Sequence, residues 1–533
     1  MKSKVKSFVV LFVFGGLSSF SHAQEKLIKS RTYNSDWVSA ADLNYDKPEA
    51  RSEEGMPVGN GRMGSLVWTS PAALKFQINR VDIFGNNTAS NNFYERNTDY
   101  CGGAGFVDVD FAGYEDDVFT TKNYKQHLSC RDGVVTTEGE GIKTRTLVWN
   151  DQDVMAIEVN DSRKSPSTIS INLRMLRSPV VKTGNHTAIS KIGIRDNRIV
   201  LTQVFKEDDY YCSSALVIGI SGRDVKPVLE NETTVKLIAK PGNEPFTIYI
   251  SSAASFKPAE DVTAEAFGEL DKALLKNFEG IYQSNLAWWN NFWDKGYVHL
   301  HSSDGEADFI EQNYAYFLYV MASSSRGSLP PKFNGMLWTT GGDARKWGNL
   351  YWGANQSCLY NGLFPTNRME LMDPLFNLYN EIKPSLELAA QEQWGSRGIY
   401  IPEVVGIGGL PKLPSNFISE IQGLYLNKKP WSTRSDSFYR YASTKMSYLS
   451  RWNWKKDEGW KDGVWNFTDK GAGPFGHVTH IFSRGAKIAY QYWQRYEYTR
   501  DTAWLRNYAY PMLKGVAEFY RNFPNVKKES DGK

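Results

Sequence analysis

The chain has 533 residues, room for more than one domain, and its 62 Lys and Arg stand against 59 Asp and Glu for a formal charge of +3. Three lysines and no acid fall before Ala23, so the remainder is formally neutral. No net positive field is left to attract nucleic acid, and the spacings of Cys101, Cys130, Cys212 and Cys358 fit no thiolate metal site.

Lys2, Lys4 and Lys6 precede an apolar run at residues 8–14, and small residues lead to Ser21-His-Ala23. A basic start, a short apolar core and a small-x-small site predict a signal peptide over 1–23 and a secreted, periplasmic protein. The run is too short to span a bilayer, and no later stretch predicts a transmembrane helix. An oxidising compartment leaves a Cys101–Cys130 bridge open. His299 and His301 alternate, and His477 and His480 lie three apart. Neither pair has a third ligand placed beside it, so no metal or other cofactor is expected.

From about residue 33 to 262 the pattern is strand-like. Leu74-Lys-Phe-Gln-Ile78, Val154-Met-Ala-Ile-Glu-Val159 and Ser214-Ala-Leu-Val-Ile-Gly-Ile220 are short and rich in β-branched residues, and Asn160-Asp-Ser162 and Thr183-Gly-Asn185 read as turns between strands. A β-sandwich over 24–262 is predicted. Gly59-Asn-Gly-Arg62 lacks the Lys-Ser/Thr of a phosphate loop. It is either a structural turn or a loop that carries Asn60 and Arg62 toward the second half.

The period changes near residue 265. A helical linker is predicted over 263–299 and a helical domain over 300–533. Its helices span 306–321, with Ser303 as N-cap, then 369–393, stopped near Gly395, then 482–498 and 504–520. Long loops at 326–350 and 395–430 separate them, and such loops are usually functional. Fourteen of the seventeen tryptophans lie at or after Trp288. Trp338, Trp347, Trp352, Trp394, Trp431 and Trp465 are expected in loops. A sugar offers apolar C–H faces and hydroxyls, which aromatic rings and Asp, Asn, Gln or Arg side chains match. Trp338, Trp347, Trp352, Asp343, Gln356 and Asp436, with Asn60 and Arg62, are therefore the candidate substrate-binding residues. Glycoside cleavage needs carboxyl groups, and Glu403, after Ile401-Pro402, is the best-placed candidate in the chain.

Several segments resemble one clan. Asn355-Gln356 with Tyr360-Asn-Gly-Leu-Phe-Pro365, and Met369-Glu-Leu-Met-Asp-Pro-Leu-Phe376 after it, are similar to the second hairpin of six-hairpin glycoside hydrolases near the inverting α-L-fucosidase family. Residues 486–519 resemble a late hairpin, and Met56-Pro-Val-Gly-Asn-Gly61 and Ile78-Asn-Arg-Val-Asp-Ile-Phe84 the accompanying β domain. The likeness covers roughly 35–520. It implies a β super-sandwich followed by an (α/α)6 barrel left incomplete at Lys533, and hydrolysis of O-glycosyl bonds in oligo- or polysaccharides, with inversion. It also implies that Asn355, as the counterpart of a water-holding asparagine, joins Glu403 as a catalytic candidate. The main acid and base are expected beyond Lys533, and the chain alone is expected to be without turnover. Gly398-Ile-Tyr-Ile-Pro-Glu403 replaces the family's His-His-Asn-Thr-Asp, so fucose specificity is not implied. The alternatives are a non-catalytic carbohydrate-binding relative, or a polysaccharide lyase recruiting Tyr351 and Asn355.

Overall fold

The computed structural model describes residues 35–85, 101–111, 117–183, 186–343, 345, 350–443, 460–461, 464–465 and 480–532. The predicted signal peptide, Trp347 and His477 lie outside them. A short helix, α1 (Ser35–Ser39), precedes a β-rich half of two antiparallel sheets. The ten-stranded sheet runs from an edge at Leu43–Tyr45 to an edge at Val180–Thr183, and the seven-stranded sheet from Val225–Asn231 to Met56–Gly59. Alternation fixes the register, since a one-residue slip would turn every buried side chain outward. The strand Arg198–Glu207 alternates between buried and half-buried residues and pairs Leu201 with Leu216. The sheets meet closely at Gly105, where a Cβ would lie 2.9 Å from Leu201 Cδ2 and 3.1 Å from Leu216 Cδ2 of the opposite sheet.

The helical half begins with α2 (Val262–Asp294), capped by Asp261, whose carboxylate accepts the Thr263 and Ala264 N–H groups. Its first part lies on the outer face of the ten-stranded sheet, with Phe267, Leu270 and Ile281 packed among Leu147, Val217 and Tyr249. Asn285 stitches it down: Nδ2 donates to Val148 O at 2.7 Å and Oδ1 accepts the Asn150 N–H at 2.8 Å. Past that point Trp289, Phe292 and Trp293 join the main core, which is continuous from the sandwich into the helices. Then follow α3 (Glu306–Ser324), α4 (Gly353–Asn361), α5 (Asp373–Trp394), α6 (Ile418–Tyr425), α7 (Asp436–Ser443), α8 (Ser483–Thr499) and α9 (Tyr510–Arg521).

Two expectations change, and one open pairing is settled. The N-cap of α3 is Gly305, in the left-handed region, and the first-turn N–H groups go to Asp304 and Ser302 instead of Ser303. The second long loop holds the short helix α6. Cys101 and Cys130 are not bridged; all four cysteines are free.

The halves are joined at backbone level. Gly61 N donates to Ser323 O at 2.8 Å, and Arg326 N donates back to Gly61 O at 3.1 Å. At Gly59 a Cβ would lie 2.3 Å from Ser323 O, so only glycine admits this approach. Gly59→Ala is expected to cost about 1–3 kcal/mol through overpacking. Denaturant unfolding should then resolve the two halves into separate transitions; a single unshifted transition contradicts this.

Candidate functional site

The first turn of α4 is where the sequence motifs converge. Tyr351 and Trp352 form a two-residue ladder with Val404 and Val405, and Gly353 N donates to Glu403 O at 2.6 Å. The Glu403 side chain, 5% exposed, is fully engaged. Its Oε1 accepts the Ala354 N–H at 2.7 Å, and its Oε2 accepts from Arg484 Nε at 2.9 Å, with Nη2 also at 2.9 Å. A carboxylate at a helix N-terminus satisfies orphan N–H groups and the macrodipole together. Arg484 lies in the first turn of α8, a place unfavourable for a cation, and its partner is this carboxylate. Gly353 makes the crossing possible: a Cβ there would stand 2.5 Å from Arg484 Cδ.

The loop that carries Glu403 is pinned as firmly. Gly398 adopts φ +83°, and a Cβ on it would fall 2.1 Å from Gly515 O of α9, while Ile399 N donates to that oxygen at 2.8 Å. Trp394, expected near a loop, closes α5 as a wholly buried residue against Tyr400, Tyr425, His480 and Phe482. Burial in that aromatic setting holds the His480 imidazole down to about 4.

On this frame Asn355 is exposed, with Ala354 and Cys358 on the same face of α4. Glu403 thus holds the N–H of Ala354, the residue before Asn355. The remaining candidates have other surroundings. Gln356 is buried and donates to Pro331 O at 2.7 Å. Trp352 is packed with Leu350 and Val404. Trp338 turns inward and gives its indole N–H to Val58 O at 2.9 Å. Asp343 accepts two bonds from Arg177, at 2.6 and 2.7 Å, on the face of the β-rich half. That segment is zipped to the seven-stranded sheet, since Gln77 exchanges two 2.8 Å bonds with the Gly342 backbone. Asn60 is wholly buried, facing Trp149 O, Gln152 O and Asp153, and Arg62 pairs with Asp153 at 2.7 Å. The Gly61 backbone makes the hydrogen bonds to the helical half, and the Arg62 side chain passes Gly327, where a Cβ would lie 3.6 Å from its Cγ. Asp436 is exposed at the start of α7, and the side chain of Trp465 lies outside the described residues.

Lys332 was not among the candidates. It is buried, with its Nζ 3.6 Å from the Tyr351 ring centroid and 4.2 Å from that of Phe84. Burial, with Arg345 adding its charge, holds the ammonium down to about 7. Its backbone N–H bonds Met336 O within the first long loop.

Among the described residues no group of three His, Cys, Asp or Glu side chains is placed to hold a metal, and no helix is long and apolar enough to cross a membrane.

Two family models match parts of the chain. One, described as a domain of unknown function (DUF5703), matches residues 44–209 in the β-rich half. The second is the glycosyl hydrolase family 95 catalytic domain, over residues 459–532. The last helices therefore match a sugar-cleaving domain. A protein of Aspergillus niger designated probable alpha-fucosidase A is 23% identical over 269 residues, covering 49% of this chain and 27% of that protein. The solved structure of a protein designated a kojibiose phosphorylase, from human microbiome, superposes with a TM-score of 0.58 at 13% identity, covering 93% of this chain and 61% of that one. The latter speaks for the fold: a β-sheet-rich domain followed by a helical one. The chain spans about a quarter of the length of the curated relative. The sequence matches support a relationship to glycoside hydrolases.

Two stability measurements follow from this geometry. Glu403→Gln leaves Arg484 buried and unpaired, which should cost about 3–5 kcal/mol. The double variant Glu403→Met/Arg484→Met should recover a large part of that. If Glu403→Gln unfolds at the wild-type denaturant midpoint, the pair is not structural. Lys332→Met should be more stable than wild type. The unfolded lysine keeps its ordinary pKa while the folded one is near 7, so the burial penalty is fully present below pH 7 and fades as pH rises toward 10.5. The advantage of the variant should shrink by roughly 1 kcal/mol per pH unit between pH 7 and 9; a constant difference contradicts this.

Proposed function

We propose that the natural protein is a glycoside hydrolase, cleaving O-glycosyl bonds of oligo- or polysaccharides with inversion, and that its helical half belongs to an (α/α)6 barrel. The observation that supports this reading is Asn355, exposed in the first turn of α4 beside the buried Glu403–Arg484 pair. Its amide both donates and accepts, so it can hold a water by one atom and a sugar hydroxyl by the other. Because α4 is locked by Glu403, this orientation is fixed before substrate arrives, and ordering costs less at the moment of reaction.

In this proposal Glu403 is a positioning residue. A general acid must carry a proton and reach the leaving oxygen, whereas both oxygens of Glu403 already accept bonds from Ala354 and Arg484. The acid and base of the inverting pair are then other residues of the protein. Secretion to the periplasm is part of the same proposal, carried by the basic and apolar start of the sequence.

The test uses the natural protein at full length, with aryl glycosides of fucose, galactose, arabinose and rhamnose. Turnover of at least one is expected, with proton NMR showing the inverted anomer first. Asn355→Ala should lower kcat about 100-fold, the scale of one lost transition-state contact, with KM little changed. Retention, an unsaturated uronic product, or full activity in Asn355→Ala would each overturn the assignment.

A further inference from the structure

A pocket lies near the end of α4 that carries Tyr360. Beyond that helix, Ser325 Oγ meets Tyr360 Oη at 2.7 Å and donates to Leu371 O at 2.8 Å. Next to Ser325 opens a cavity of about 410 Å³, lined by Trp288, Asn291, Lys295, Arg326, Glu370 and Asn377 among others.

Charge in this pocket is unevenly matched. Glu370 is paired with Lys295, and Asp373, also on its wall, with Arg495. Arg326 makes no ion pair among the described residues. Its guanidinium lies 3.9 Å from the Trp288 ring centroid, and its two hydrogen bonds go to neutral oxygens, Ala322 O and Asn150 Oδ1. Burial and the neighbouring Arg62 push it down to about 9 against the opposing pull of Asp151, Asp153 and Glu370, so it remains charged near neutral pH. With Nε and Nη2 engaged, Nη1 makes no hydrogen bond among the described residues and is the nitrogen left for an anion. The cavity is larger than a lone small anion needs and falls in the range of small-molecule sites. Exposed Asn291 and Asn377 offer amides for hydroxyl groups.

We infer that this pocket binds a saccharide carrying a carboxylate, with the carboxylate on Arg326 and ring hydroxyls on the two asparagines. The saccharide part rests on the carbohydrate reading above. Binding is measured without turnover, so a failure of hydrolysis and a failure of this pocket are separate results.

The experiment is titration calorimetry at low salt with three probes: D-glucuronate, D-glucose and acetate. Glucuronate is expected to bind at least tenfold more tightly than either other probe. Arg326→Met should weaken glucuronate at least tenfold. Because Arg326 also contacts the Gly61 turn, Asn377→Asp is the companion variant: it adds a negative charge at an exposed position and should weaken glucuronate severalfold with an unchanged melting temperature. Equal binding of glucose, equal binding of acetate, no binding of glucuronate, or wild-type affinity in Asn377→Asp would each overturn the proposal.

Discussion

A buried charge must find its partner, and in this protein that requirement organises the helical half. Glu403 and Arg484 come from a loop and a helix 81 residues apart in sequence. Neither is tolerable alone: an unpaired carboxylate or guanidinium at this depth costs several kcal/mol. Paired, they draw together the start of α4, the loop after α5 and the start of α8. Gly353 is then required at α4, because any side chain would occupy the space of the arginine. The exposure of Asn355 follows from the same arrangement, since Gly353, Gln356, Ser357 and Tyr360 form the buried face of that helix.

The β-rich half contributes order to what would otherwise be a long free loop. The described residues of this loop, 326–343 and 345, hold little regular structure, yet side chains of the seven-stranded sheet take up their backbone groups. Gln77 does so at Gly342, and Asn79 donates to Thr339 O at 3.0 Å. Arg177 clamps Asp343, and Arg345 reaches back to the Met336 and Trp338 carbonyls. The loop is thus tied down as far as Arg345, and α4 is held at its own start by Glu403. Rigid presentation of a polar residue at a helix start is what a sugar site needs, because loose geometry wastes binding energy on ordering.

Much of the architecture was legible because it is periodic. The change from period 2 to period 3.6 near residue 265 coincides with the start of α2, and the spacing of apolar residues marked α3, α5, α8 and α9. Asn355 was singled out by family resemblance alone, since nothing local separates it from Gln356, which is buried. The directions of Trp338, Asp343 and Asn60 were not legible. Their partners, Val58, Arg177 and Asp153, lie from 93 to 280 residues away, and no local pattern specifies them. Helix α6 was hidden because its eight residues sit among Gly and Pro. Arg484 did carry a signal: an arginine in the first turn of a helix, where the dipole disfavours it, asks for a nearby acid.

The central claim is a division of labour, with Glu403 holding α4 in place and Asn355 meeting the sugar. The most direct measurement is a crystal structure of the full-length protein with an unhydrolysed glycoside bound. The expected result has the Asn355 amide within about 3 Å of a sugar hydroxyl or a bound water, and Glu403 still joined to Arg484 and Ala354. A Glu403 carboxyl released from Arg484 and lying against the glycosidic oxygen would contradict the account.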